Sequence, residues 1–332
     1  VQRRAREVGV VRVYPIAAIT RGRRGEELTE AAALRAAGAV ALSDDGRSVP
    51  SAGLLRRAME YAAMVGLPII EHCEDEGLAG DGCVHEGEVA VRLGLRGLPR
   101  EAEDMVVARD LLLAERTGVH LHIAHVSTAG AVELIRQAKA RGVRVTAEAT
   151  PHHLVLTHEA VGEYDTACKM KPPLREARDV AALREGLRDG TIDCIATDHA
   201  PHAPWEKDVE FELAPFGTVG LETALPVVLT ELVHTGELSP LELVARLSTR
   251  PALILGLPGG TLAPGSPADV TVIDPEADVV VDPERFLSKG RHCAFRGRRL
   301  RGRAVATVVG GRAVMLDGRV AERPGEDLLE QA

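Results

Sequence analysis

Short apolar runs alternate with longer amphipathic stretches over the first two hundred residues, and this alternation limits the fold more than any other feature of the chain. The runs are "VVRVYPIAAIT" (10–20), "AVALS" (39–43), "LPIIEHC" (67–73), "VHLHIAHVS" (119–127), "VRVTAEAT" (143–150) and "IDCIATD" (192–198). Between them lie "ELTEAAALRAAG", "SAGLLRRAMEYAAMVG", "EAEDMVVARDLLLAERTG", "AGAVELIRQAKARG" and "DVAALREGLRDG". All five have helical periodicity, and each closes on a glycine, the residue favoured just past a helix C-terminus. Six strand-helix alternations predict parallel strands joined by right-handed crossovers. A doubly wound sheet and a (β/α)8 barrel both satisfy that pattern. Past about residue 258 the texture changes to "GTLAPGSPADVTVIDPEADVVVDP" and "GRAVATVVGGRAVMLDGRV", short alternating strands broken by Gly, Pro and Asp. These predict a small antiparallel β unit. The expected division is therefore residues 1–257 and 258–332.

Composition narrows the function classes. With 332 residues, 45% of them hydrophobic, the chain can bury a substantial core. A net charge of −9 gives no overall attraction to nucleic acid or to an anionic membrane, and aromatics at 2% leave few stacking platforms for single strands. Five scattered cysteines without a C-x-x-C pair fit a reducing compartment. There is no charged-then-apolar leader and no run of about 18 apolar residues, so the chain reads as cytoplasmic with a small-molecule partner. The Arg-rich piece "RHCAFRGRRLRGR" (291–303) reads as a solvated face.

"IATDHAPH" (195–202) follows an apolar strand directly, so Asp198 ends a buried segment. Burying a carboxylate is costly unless a cation or a full set of hydrogen bonds compensates it. Asp44 and Asp45 follow "AVALS", His72 closes "LPIIE" and His125 comes late in "HLHIA". All of these fall at C-terminal ends of predicted parallel strands, where α/β enzymes build their sites. Carboxylate oxygen and imidazole nitrogen are ligands for Zn2+ or Mn2+ in hydrolytic centres. Taken singly, each residue has an ordinary structural explanation: a strand histidine packs, and "SDDG" is good turn chemistry. Four of them at four strand ends point to a metal site. His120 and His122 form an H-x-H, but alternation places them opposite His125 as packing residues.

The segments "ALSDDG", "IIEHCEDEG", "HIAHVSTAGAVELIRQAK", "TPHHL", "KPPLRE", "CIATDHAPH", "PFGTVGLETALP" and "GSPADVTVID" resemble, in order and over nearly the whole chain, the bacterial type I dihydroorotases of the amidohydrolase superfamily. The resemblance implies a (β/α)8 TIM-like barrel with a flanking β-sandwich unit and one or two divalent ions at the barrel mouth, Zn2+ foremost, with Mn2+ or Co2+ compatible. By that likeness Asp45 bridges two ions and His72 and His125 bind the more buried one. Asp198 binds the other ion and serves as general base. His202, Phe216 and Gly217 resemble contacts to the substrate's carboxylate and ring amide. Lys171 takes a substrate-contacting place where many members carry Asn.

The implied reaction is the reversible interconversion of (S)-dihydroorotate and N-carbamoyl-L-aspartate in pyrimidine synthesis. Homodimerisation or a complex with aspartate transcarbamoylase is the associated expectation. Rival readings are an inactive pseudo-dihydroorotase that scaffolds aspartate transcarbamoylase, and an allantoinase- or dihydropyrimidinase-like hydrolase. One departure stands out: the family's first-strand H-x-H-L-R has no counterpart, since no histidine precedes His72. The chain opens in "VQRRAREVG", which reads as the second barrel helix. Two barrel strands are accordingly expected to be absent, and the chain alone is expected to be inactive.

Overall fold

The computed structural model describes residues 1–330. Its central element is a six-stranded parallel sheet of β1 (Ile16–Ala17), β2 (Ala41–Leu42), β3 (Ile69–Glu71), β6 (Leu121–Ile123), β7 (Val145–Ala149) and β8 (Cys194–Ile195), hydrogen-bonded in that order. A separate two-stranded ribbon, β4 (Val84–His85) with β5 (Gly97–Leu98), lies in the connection after β3. Intervening helices cover one face of the large sheet, the strand-helix alternation of a (β/α) barrel wall. The regular strands are shorter, at both ends, than the apolar runs that announce them.

Local chemistry starts and stops the helices. Ser51 accepts a hydrogen bond from the Leu54 amide at the start of Ala52–Val65, and Gly66 ends that helix in a left-handed turn. Thr128 caps Ala129–Ala140 through the Ala131 amide. Glu176 and Asp179 form a reciprocal box at the start of Ala177–Asp189.

Strand parity then sorts the side chains. Ile69, Leu121, Ile123, Val145 and Ala147 point to the helical layer and pack with Leu55, Met59 and Ile135 in the main core. Ile70, His122, Glu148, Cys194 and Ala196 point the other way, into a cavity of about 470 Å3. The register fixes their relative heights: His122 lies across from Ile70 and Thr146, and Glu148 across from Cys194.

The expected C-terminal β unit is a four-stranded antiparallel sheet of β9 (Val270–Val280), β10 (Arg299–Val309), β11 (Arg312–Leu316) and β12 (Arg319–Val320). It docks on the helical layer through Thr230, whose hydroxyl accepts from the Arg301 amide at 2.7 Å. Its exposed arginines face carboxylates, as in Arg303–Asp317 at 3.4 Å, which agrees with a solvated face. All five cysteines are free and buried. Among the described residues no helix is long and apolar enough to cross a membrane.

Candidate metal and catalytic site

Three of the four predicted strand-end residues meet directly. Asp45 follows β2, His72 follows β3 and His125 lies two residues past β6, and their ligand atoms all lie within 4.8 Å of one another. His72 Nδ1 is 3.0 Å from His125 Nε2, which is 3.3 Å from Asp45 Oδ1. The two aspartates of "SDDG" divide the work. Asp44 turns inward and accepts from the Ile19 and Thr20 amides at 2.9 and 3.0 Å, joining the ends of β1 and β2. Asp45 is thereby left free to face the cavity. Arg23 supports it by donating to the Asp45 carbonyl at 2.8 Å.

The fourth residue, Asp198, lines the same cavity as Asp45 and His125. His125 and Asp198 both have left-handed backbones, with φ of 33° and 45°. Such conformations are unfavourable for side-chain-bearing residues and concentrate at functional sites. At His125 the left-handed turn breaks the strand's alternation. His122 and His125 consequently line the same cavity, and the expectation that His122 lies opposite as a packing residue is corrected. His120 is half-buried and reaches Thr146 Oγ1 at 2.9 Å.

Charge follows the geometry. Burial works against a charged His125 ring, yet the hydrogen bond to Asp45 and the charges of Asp198, Asp45 and Glu148 prevail and raise its pKa to about 9. The same bond to His125 holds the Asp45 carboxyl well below the usual range. Burial and then the His125 charge depress His72 to about 3, so its ring is neutral. For Asp198, burial together with repulsion from Asp45 and Glu148 raises the pKa despite the attraction of His125.

A divalent cation fits this cluster. Two imidazole nitrogens and a carboxylate oxygen converge, while the opposite nitrogens, His72 Nε2 and His125 Nδ1, are buried with no hydrogen-bond partner. Two imidazole nitrogens and a carboxylate oxygen converging this closely are the donor set of a Zn2+-type site.

The loop after β8 meets a second segment that the sequence marked separately. Ala200 donates to the Thr218 carbonyl at 3.0 Å, and His199 bridges to Thr218. His199 Nδ1 accepts from the Gly220 amide at 3.2 Å, and His202 Nε2 donates to the Phe216 carbonyl at 2.8 Å. "ATDHAPH" and "PFGTVG" are thus one structural unit. The Gly217 amide donates to the Lys169 carbonyl at 2.8 Å. Lys171 is ion-paired to the buried Glu74 at 2.6 Å, and its ammonium sits 5.3 Å from the Phe216 ring centre. Lys171, His202, Phe216 and Gly217 therefore lie in linked segments, and among the described residues the link to the cluster is the charge of Lys171, which acts on His72.

Glu148 was not singled out from the sequence. It is a carboxylate in the middle of β7, joined to His122 Nε2 at 3.1 Å and accepting from the His125 amide at 3.4 Å. Its signal was the alternation of "VTAEA", where small apolar residues take one face and Thr146 and Glu148 the other.

Residues 1–131 match a family model described as dihydro-orotase-like, and residues 87–315 match one described as the amidohydrolase family. A dihydroorotase of Pelotomaculum thermopropionicum is 62% identical over 93% of this chain and 72% of its own length. One from Anaeromyxobacter sp. strain K is 57% identical over 95% of this chain and 73% of its own length. Among solved structures, the L-hydantoinase (dihydropyrimidinase) of Arthrobacter aurescens superposes with a TM-score of 0.86 at 29% identity, covering 96% of this chain and 73% of that one.

Proposed function

The chain belongs to the dihydroorotase family of amidohydrolases, and from that premise we propose that its strand-end cluster serves the reversible hydrolysis of dihydroorotate to N-carbamoyl-aspartate in pyrimidine synthesis. The observation that carries this reading is the convergence of Asp45, His72 and His125 within 4.8 Å, beside a cavity that Asp198 also lines.

Asp45, His72 and His125 would hold a divalent cation, Zn2+ foremost, with Mn2+ or Co2+ compatible with the same donors. When bound, such an ion polarises a carbonyl and lowers the pKa of a water. The protein's own groups handle the proton. Asp198, with its pKa raised by burial and by neighbouring carboxylates, accepts a proton from the attacking water and returns it to the departing ring nitrogen. The ring C–N bond breaks, the carbonyl carbon gains the oxygen as a carboxylate, the nitrogen leaves as the NH2 of the carbamoyl group, and the water's second proton passes to solvent. Ring closure is the same sequence reversed.

Specificity in this reading lies in the unit built from residues 199–202 and 216–218. His202, Phe216 and Gly217 would contact the substrate's carboxylate and ring amide, with Lys171, held by Glu74 at 2.6 Å, beside the Phe216 ring. The test is turnover of the natural gene product on dihydroorotate, dihydrouracil and allantoin. A clear preference for dihydroorotate is expected; a preference for either neutral substrate would replace this reading with that of another cyclic-amide hydrolase.

A further inference from the structure

We propose that His122, Glu148 and Cys194 form a separate site for a thiophilic divalent cation inside the barrel wall. Their ligand atoms lie within 4.8 Å of one another, and none of the three belongs to the Asp45 cluster. They come from three adjacent strands, β6, β7 and β8, with Glu148 directly across from Cys194. Both His122 and Cys194 are 3% exposed and line the central cavity.

The imidazole is already oriented for the task. His122 Nδ1 is held by Thr146 Oγ1 at 2.8 Å, and that hydroxyl is steadied in turn by His120 Nε2 at 2.9 Å. A ring fixed through one nitrogen presents the other as a ligand, and support of this kind usually accompanies metal-binding histidines. The other nitrogen, Nε2, meets Glu148 Oε2 at 3.1 Å, so a bound ion would take the place of this hydrogen bond. One nitrogen, one oxygen and one sulfur make a donor set suited to Zn2+ and its close relatives and unsuited to Mg2+ or Ca2+. Binding would displace the thiol proton of Cys194, form a sulfur-metal bond and release that proton to solvent. The ion would tie the three strands together beneath His125, whose amide already donates to the other Glu148 oxygen at 3.4 Å. Cys73 offers a contrast: its sulfur meets Asp110 Oδ2 at 3.7 Å, in a group with no imidazole.

Cobalt(II) titration of the reduced, metal-free protein tests the site optically, because a sulfur-to-cobalt charge-transfer band reports a thiolate ligand and the Asp45 cluster contains none. The wild type is expected to develop the band. Cys194→Ser should abolish it, Glu148→Gln should weaken cobalt affinity at this site by about tenfold or more, and Asp45→Asn should leave the band in place. Cobalt binding by the wild type without a sulfur band overturns the proposal, whatever the variants do. So does a band that survives in folded Cys194→Ser, with folding checked by circular dichroism.

Discussion

His72 Nδ1 faces His125 Nε2 across 3.0 Å, with the two rings edge to face at 79°. At that distance two nitrogen lone pairs repel unless a proton or a metal ion lies between them. Without metal, His125 carries the charge because Asp45 stabilises it. Replacing Asp45 by Asn removes the negative charge that helps hold His125 near 9 and leaves only a weaker, neutral acceptor, while burial continues to disfavour the charged ring. The His125 pKa should therefore fall in Asp45→Asn, and an NMR titration of the metal-free protein checks it. An unchanged value would mean that Asp45 does not govern the pair.

Asp198, which lines the cavity beside His125, is the proposed proton carrier. In the natural gene product, Asp198→Asn should lower kcat for dihydroorotate by roughly 10² to 10⁴-fold, the range for losing a positioned acid-base group, with a much smaller change in KM. Steady-state kinetics in both directions decide this, since one group serving hydrolysis and closure must impair the two alike.

Gly217 is confined by its neighbours. At its φ of 127°, a Cβ would stand 2.6 Å from the Ala200 Cβ and 2.8 Å from the Ala200 carbonyl oxygen. Gly217→Ala must push apart the two segments, around Ala200 and Thr218, to which the proposed function assigns substrate contact. Its KM should rise about tenfold or more while metal content stays at the wild-type level, corresponding to a loss of about 1.4 kcal/mol or more in substrate binding. Kinetics paired with metal analysis measure both.

A pH effect follows from His85, away from the Asp45 cluster. Burial first, then the charges of Arg175 and Arg100, lower its pKa from an ordinary 6.5 to about 4. Between those values the unfolded chain takes up a proton that the folded protein refuses. The contribution to stability is complete above about pH 6.5 and is lost as pH falls toward 4, with a limiting slope of about 1.4 kcal/mol per pH unit. Melting curves from pH 4 to 7 should show a shallower decline for His85→Gln than for the wild type.

The barrel wall and most of the strand-end cluster were legible because each uses a local rule. Apolar runs announced the strands, and polar residues placed immediately after them had to fall at the C-terminal rim. Asp45, His72, His125 and Asp198 were found in this way. His122 was misassigned because alternation holds only while the backbone stays extended, and the left-handed turn at His125 reverses its side. Glu148 was missed because a single mid-strand carboxylate has no distinctive spacing. Its role depends on His122 and Cys194, 26 and 46 positions away along the chain, arriving at the same height in neighbouring strands. Register is a property of the folded sheet, and periodicity alone does not supply it.

The most direct test of the central claim is calorimetric titration of the metal-free protein with Mn2+, an ion that favours oxygen and nitrogen ligands and avoids the thiol of Cys194. The wild type should bind Mn2+ with saturation, and both His72→Ala and His125→Ala should lose that binding while remaining folded. Equal Mn2+ affinity in the wild type and in both variants would contradict the assignment of Asp45, His72 and His125 as the metal centre.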